Sequence, residues 1–136
     1  MTAALLVNID VDDLEEAVAF YRDGLGLGVG RRLGGGVVEM LHGSARVYLL
    51  AKPAGSAAAP GAARRDYARH WTPVHLDFVV EKIEAAVARA VAAGARLEQT
   101  PRTETWGRIA SMSDPFGHGF CLIEFLGRGY DEPAEG

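Results

Sequence analysis

The chain has 136 residues, 49% hydrophobic and 24% charged, which is the composition of a folded globular chain and excludes a disordered one. At roughly 150 residues per domain, the length allows one compact domain or two small modules sharing a core. A formal charge of −4 disfavours any partner held by phosphate neutralisation, so no nucleic acid is expected, and the single cysteine, Cys121, excludes an internal disulfide and a multi-thiolate zinc site.

The chain opens with MTAALLVNID, which has no basic residue ahead of its apolar run and so does not read as a secretory signal. No stretch reaches the roughly 18 uncharged apolar residues of a membrane span, so no membrane is expected and the location reads as cytoplasmic. Leu5, Val7, Ile9 and Val11 alternate with Leu6, Asn8 and Asp10, which predicts a strand packed by one face. Asp13 and Glu16 then start a helix, Leu14, Ala17, Val18 and Tyr21 form its apolar stripe, and Gly24 ends it. Three strands follow at 29–33, 37–41 and 45–51, with turns at Gly34–Gly36 and His42–Ser44. Gly24, Gly26, Gly28 and Gly30 do not form a phosphate loop, because they follow a helix and enter a strand.

The same order then recurs. Residues 5–19 align without gaps on 74–88, at an offset of 69, with Val11 on Val80, Glu15 on Glu84 and Ala17–Ala19 on Ala86–Ala88. Val74, Leu76, Phe78 and Val80 alternate as a strand, and Ile83, Ala86, Val87, Ala90 and Val91 line a helix that Gly94 ends. Strands at 96–100, 107–112 and 119–125 complete the copy. This predicts an α+β chain with a first βαβββ module over 1–52, an Ala/Gly/Pro-rich linker over 53–72 ending in a helical turn at Arg64–Trp71, a second module over 73–127 and a tail over 128–136.

IDVDDLEEAVAFYRDGLGL in the first half, with HLDFVVEKIEAAVARAVAAGA and SMSDPFGHGFCLIEF in the second, resembles the vicinal oxygen chelate superfamily of glyoxalases, bleomycin-resistance proteins and extradiol dioxygenases. The resemblance covers residues 5–125. It implies that the tandem modules form curved mixed sheets around a concave cavity, that members of this length form homodimers, and that the activity varies widely within the fold. In metal-using members, ligands come from the first and last strands of each module. His75 and Glu124 match those positions in the second module and are read onto one concave face, whereas the first module offers Leu6 and Leu50, which cannot ligate.

With half of the ligand set apolar, the expected function is metal-independent binding of a small, partly aromatic molecule in the dimer cavity, without a cofactor. The expected contacts are Asn8, Arg46, Tyr48, His75, Trp106, Arg108, Phe120, Leu122 and Glu124, a mixture of apolar walls and polar anchors, with Trp71 overhanging from the linker. The alternative is a lyase, isomerase or dioxygenase in which His75 and Glu124 hold a divalent Zn, Ni, Fe or Mn ion. His75, Glu124 and Asp77 are also the candidates for metal-free acid–base catalysis. Cys121 is expected on the helix-packed side as an inert thiol.

Overall fold

A computed structural model describes residues 3–135; residues 1, 2 and 136, which the sequence reading assigns to the first module and the tail, lie outside the described residues. Strand β1 (Val7–Val11) is shorter than its apolar alternation, because its ladder begins where Val7 meets Val47. Helix α1 (Leu14–Ala19) starts at Asp13, whose Oδ1 accepts the Glu16 N–H at 3.0 Å. The helix continues into a wider π-helical turn over Phe20–Gly24, which buries Phe20 and Tyr21. Strands β2 (Gly28–Leu33), β3 (Val37–His42) and β4 (Ala45–Ala51) follow as a meander.

The first sheet has the order β1-β4-β3-β2, with β1 parallel to β4 and the other pairs antiparallel. Val38, Met40, Val47 and Leu49 turn one face towards α1, where Ala17, Val18 and Tyr21 are also buried. The opposite face is not covered by a helix of this module. At β2 the ladder shifts: Val29 pairs with Met40 and Arg32 with Val38, so Gly30 and Arg31 together oppose Glu39.

The second module repeats this order. Strand β5 (Leu76–Val79) leads to helix α2 (Ile83–Ala92), and β6 (Arg96–Glu104), β7 (Gly107–Ser113) and β8 (Gly119–Phe125) complete a sheet of order β5-β8-β7-β6. β5 runs parallel to β8, and β6 carries two register shifts against β7. The fold is therefore α+β, two tandem βαβββ modules. The chain divides into two compact units between Ala68 and Arg69. No helical turn forms at Arg64–Trp71. Arg64 bridges Ala57 in the first unit, and His70 bridges His118 in the second, so backbone pairing takes the place of the expected helix. Among the described residues no helix is long and apolar enough to cross a membrane.

Candidate functional site on the open face of the second sheet

Register decides which side chains meet. Asp77 lies beside Cys121, Cys121 beside Ser111, and Ser111 beside Gln99, so these four residues share one face across β5, β8, β7 and β6. His75, just before β5, joins them, with its Nε2 3.3 Å from Asp77 Oδ1. Leu76, Phe78, Phe120, Leu122 and Met112 alternate onto the other face, under α2, where Phe78 and Phe120 pack edge to face at 5.8 Å between ring centres.

Glu124 belongs to that helix side. Its Oε1 accepts the Ile83 N–H at 2.8 Å, satisfying a donor at the start of α2. The structure thus corrects the pairing of His75 with Glu124: they stand on opposite faces of the sheet. The correction extends to three neighbours. Cys121 is on the open face with His75, whereas Phe120 and Leu122 are core residues under the helix. In the first module the register pairs Val11 with Ala51 as Val7 pairs with Val47, so the residue matching Glu124 is Ala51 and not Leu50.

The open face bears a pocket of about 600 Å³ lined by Trp71, His75, Glu98, Gln99, Arg102, Ile109, Ser111 and Cys121. Trp71 forms its aromatic wall and is fixed from several sides. Its Nε1 donates to Glu98 Oε1 at 3.0 Å, and the Arg69 guanidinium stacks 4.9 Å above its ring while also bonding Glu98. The Arg69 hydrogen bonds hold the Glu98 carboxyl below its usual range. The indole lies over Gly119, where any Cβ would run into the ring, and meets His75 edge-on at 5.4 Å. The segment that carries Trp71 is pinned by the His70 N–H donating to the Gly117 carbonyl at 2.9 Å, and by His118 Nδ1 lying 3.1 Å from His70 Nε2.

His75 and Cys121 line the pocket, and with Asp77 beside them each offers one ligating atom, all within 4.8 Å of one another. Burial, reinforced by the Asp77 charge, pushes the Cys121 thiol above its usual range, so at neutral pH the sulfur keeps its proton. The His75–Asp77 contact is that of an imidazole oriented by a carboxylate.

Two expected contacts have other partners. Trp106 packs with Tyr130 at 5.3 Å and Phe125 at 6.4 Å, and Arg108 pairs with Glu84 on α2. In the first module, Asn8, Asp10, Arg46, Tyr48 and Leu50 share the open face, with Leu6 exposed ahead of β1. There Asp10 Oδ2 accepts from Arg65 Nε at 2.7 Å, and the Tyr48 hydroxyl donates to Glu39 Oε2 at 2.9 Å. Glu39, Glu98, Gln99 and Ser111 do not figure among the contacts read from sequence. Isolated polar residues in short strands give no signal until the register gathers them.

Residues 6–123 match the glyoxalase-like domain family. The chain is 33% identical over 134 residues to the anthracycline biosynthesis protein DauV of a Streptomyces species, covering 96% of this chain and 44% of that protein. It spans less than half the length of the curated relatives it matches. Among solved structures it resembles the antibiotic binding protein TnmS3 from Streptomyces sp. CB03234, with a TM-score of 0.62 and 20% identity over 93% of this chain and 99% of that one. It also resembles a mutant of the fosfomycin resistance protein FosX from Listeria monocytogenes, complexed with Mn(II) and 1S,2S-dihydroxypropylphosphonic acid. That likeness has a TM-score of 0.69 and 17% identity over 95% and 92% of the two chains.

Proposed function

Because the chain belongs to the glyoxalase-like domain family, we propose that it binds a small, flat, partly aromatic molecule on the open face of the second sheet, without a metal. The observation that carries this reading is Trp71. An indole fixed by Glu98, Arg69, His75 and Gly119 is a preorganised stacking surface, which loses little rotamer freedom on binding. Gln99, Ser111 and His75 supply polar anchors beneath it, and Ile109 an apolar floor. The names of DauV, an anthracycline biosynthesis protein, and TnmS3, an antibiotic binding protein, support a fused-ring, oxygen-bearing ligand of the anthracycline kind. In this reading the chain is a cytoplasmic homodimer, and pairing of two copies encloses the ligand.

A second reading rests on the His75, Asp77 and Cys121 cluster. Nitrogen, oxygen and sulfur donors in one place make a chemically sound set for a zinc-type ion, and three of them leave a position open. These residues, and not His75 with Glu124, would hold it. A divalent ion bound there would supply Lewis-acid polarisation of adjacent ligand oxygens, as a lyase, isomerase or dioxygenase requires. Cys121 would first have to release its proton, so uptake would strengthen as pH rises.

One experiment separates the two. Daunorubicin is titrated into chelator-treated protein while tryptophan emission is followed, with Trp106→Phe as the background so that Trp71 is the sole reporter. The expected result is saturable quenching unaffected by chelator, and an affinity for daunorubicin, read by isothermal titration calorimetry, that Trp71→Ala weakens about tenfold or more. Binding that requires added Zn or Mn, and that Cys121→Ser abolishes, would overturn the first reading in favour of the second. Absence of saturable quenching overturns both as stated for this ligand class.

A further inference from the structure

We infer that the first module carries a separate recognition site for an oxyanion borne on an apolar body, with Arg31 as its recognition group. The inference goes beyond the Trp71 pocket and uses none of its residues.

The site begins with the irregularity in β2. Two residues, Gly30 and Arg31, oppose the single Glu39 on β3, and such a bulge re-aims a side chain that regular pairing would send elsewhere. Here it delivers Arg31 to the open face. Arg31 Nε donates to Glu39 Oε1 at 3.1 Å and Nη2 to Oε2 at 2.9 Å, and the Arg31 backbone N–H also donates to Oε1 at 3.3 Å. Tyr48 donates to Oε2 from the other side. Gly30 is required for this packing, since a Cβ there would lie 2.7 Å from Glu39 Oε1 and 3.1 Å from the Glu39 carbonyl oxygen.

The two partners differ sharply in exposure. Glu39 is buried, at 5% exposure, whereas the Arg31 side chain keeps 66% of its surface. A guanidinium offers five donors in a rigid plane, and Glu39 occupies the edge formed by Nε and Nη2. The edge formed by Nη1 and the second proton of Nη2 points away from Glu39, in the geometry that takes a carboxylate or phosphate through two parallel bonds. The buried carboxylate, with four donors around it, holds the exposed guanidinium in one orientation, the preorganisation that lowers the entropic cost of binding.

The neighbours define the rest of the ligand. Leu33 and Leu41 share this face, on either side of the Arg31–Glu39 pair, and remain 42% and 40% exposed. Apolar side chains flanking a fixed guanidinium suit a planar acid, with its ring on the leucines and its carboxylate on Arg31.

The test uses isotope-labelled full-length protein and NMR, with 2-naphthoate as probe, 2-naphthalenemethanol as its neutral counterpart and acetate as the anion without a ring. Naphthoate should produce saturable shifts at Arg31 Nε–H and at the Leu33 and Leu41 methyls, with both controls binding at least about tenfold more weakly. Arg31→Lys keeps the charge but loses the paired donors, and should weaken naphthoate about tenfold while the amide spectrum stays folded. Equal binding of naphthoate and its alcohol, unchanged affinity in Arg31→Lys, or shifts that never saturate would each overturn the proposal. These signals arise in the first unit and Trp71 emission in the second, so either site can fail while the other stands.

Discussion

Among the described residues the Glu39 carboxylate accepts hydrogen bonds from Arg31 and Tyr48, and this has a pH consequence. The hydrogen bonds from Arg31, then that from Tyr48, lower its carboxyl to about 2 from an ordinary 4.5. A depressed carboxyl contributes stability that is fully present above the unfolded value and lost as pH falls through the folded one. Between about pH 4.5 and 2, thermal midpoints of the protein should therefore fall more steeply than those of Glu39→Gln, which lacks the titrating group. Parallel acid limbs in the two proteins would remove Glu39 from this role. The same scale shows where the sequence stops being legible. Phe120, Cys121, Leu122 and Ile123 are all apolar and all buried, so β8 offers no period-two signal to tell its faces apart. Only pairing with β5 reveals that Cys121, and not Glu124, looks the same way as His75.

At the scale of elements, the two helices begin differently. α1 carries its own cap, Asp13, legible as a short polar residue three before a glutamate. α2 begins after Lys82, which makes no side-chain cap bond, and Glu124 reaches from β8 to supply the missing acceptor. No local pattern announces a cap borrowed across 41 residues. Glu124→Ala should thus cost about 1 kcal/mol of stability, as loss of a cap does, and leave Trp71-reported ligand binding intact. Chemical denaturation checks the first half and the daunorubicin titration the second. If Glu124→Ala kept full stability and lost the ligand, the binding role read from sequence would return. The two helices, most strands and the turns between strands were legible because each is set by neighbours in the chain, whereas the helical turn expected at Arg64–Trp71 gave way to backbone bridges. The bulge at Gly30 and Arg31 was not, since an extra residue in one strand is defined only against its partner.

For the whole molecule, the internal repeat was the strongest sequence signal, and both copies fold with the same strand order, first strand parallel to last. The two modules diverge on their open faces. One open face carries the indole-walled pocket with a histidine, an aspartate and a thiol, and the other a buried carboxylate that orients an arginine. Pairing of two chains is part of the proposed function, and sedimentation equilibrium at micromolar protein should return twice the chain mass. A monomer at every concentration would require a site that works without a partner copy.

The register shifts in β2 and β6 bear on how the chain avoids its own kind. Both are outer strands of their sheets, and an outer strand shows unpaired backbone groups that invite another chain to add on. β2 meets that invitation with a bulge and two adjacent arginines, Arg31 and Arg32, and β6 with two register breaks, Pro101 and Arg102. At the opposite edges β1 and β5 have only five and four residues, too short a template to hold a stranger for long. A chain whose business lies on its sheet faces can leave those faces open to small molecules because its rims are kept unsuited to runaway strand addition.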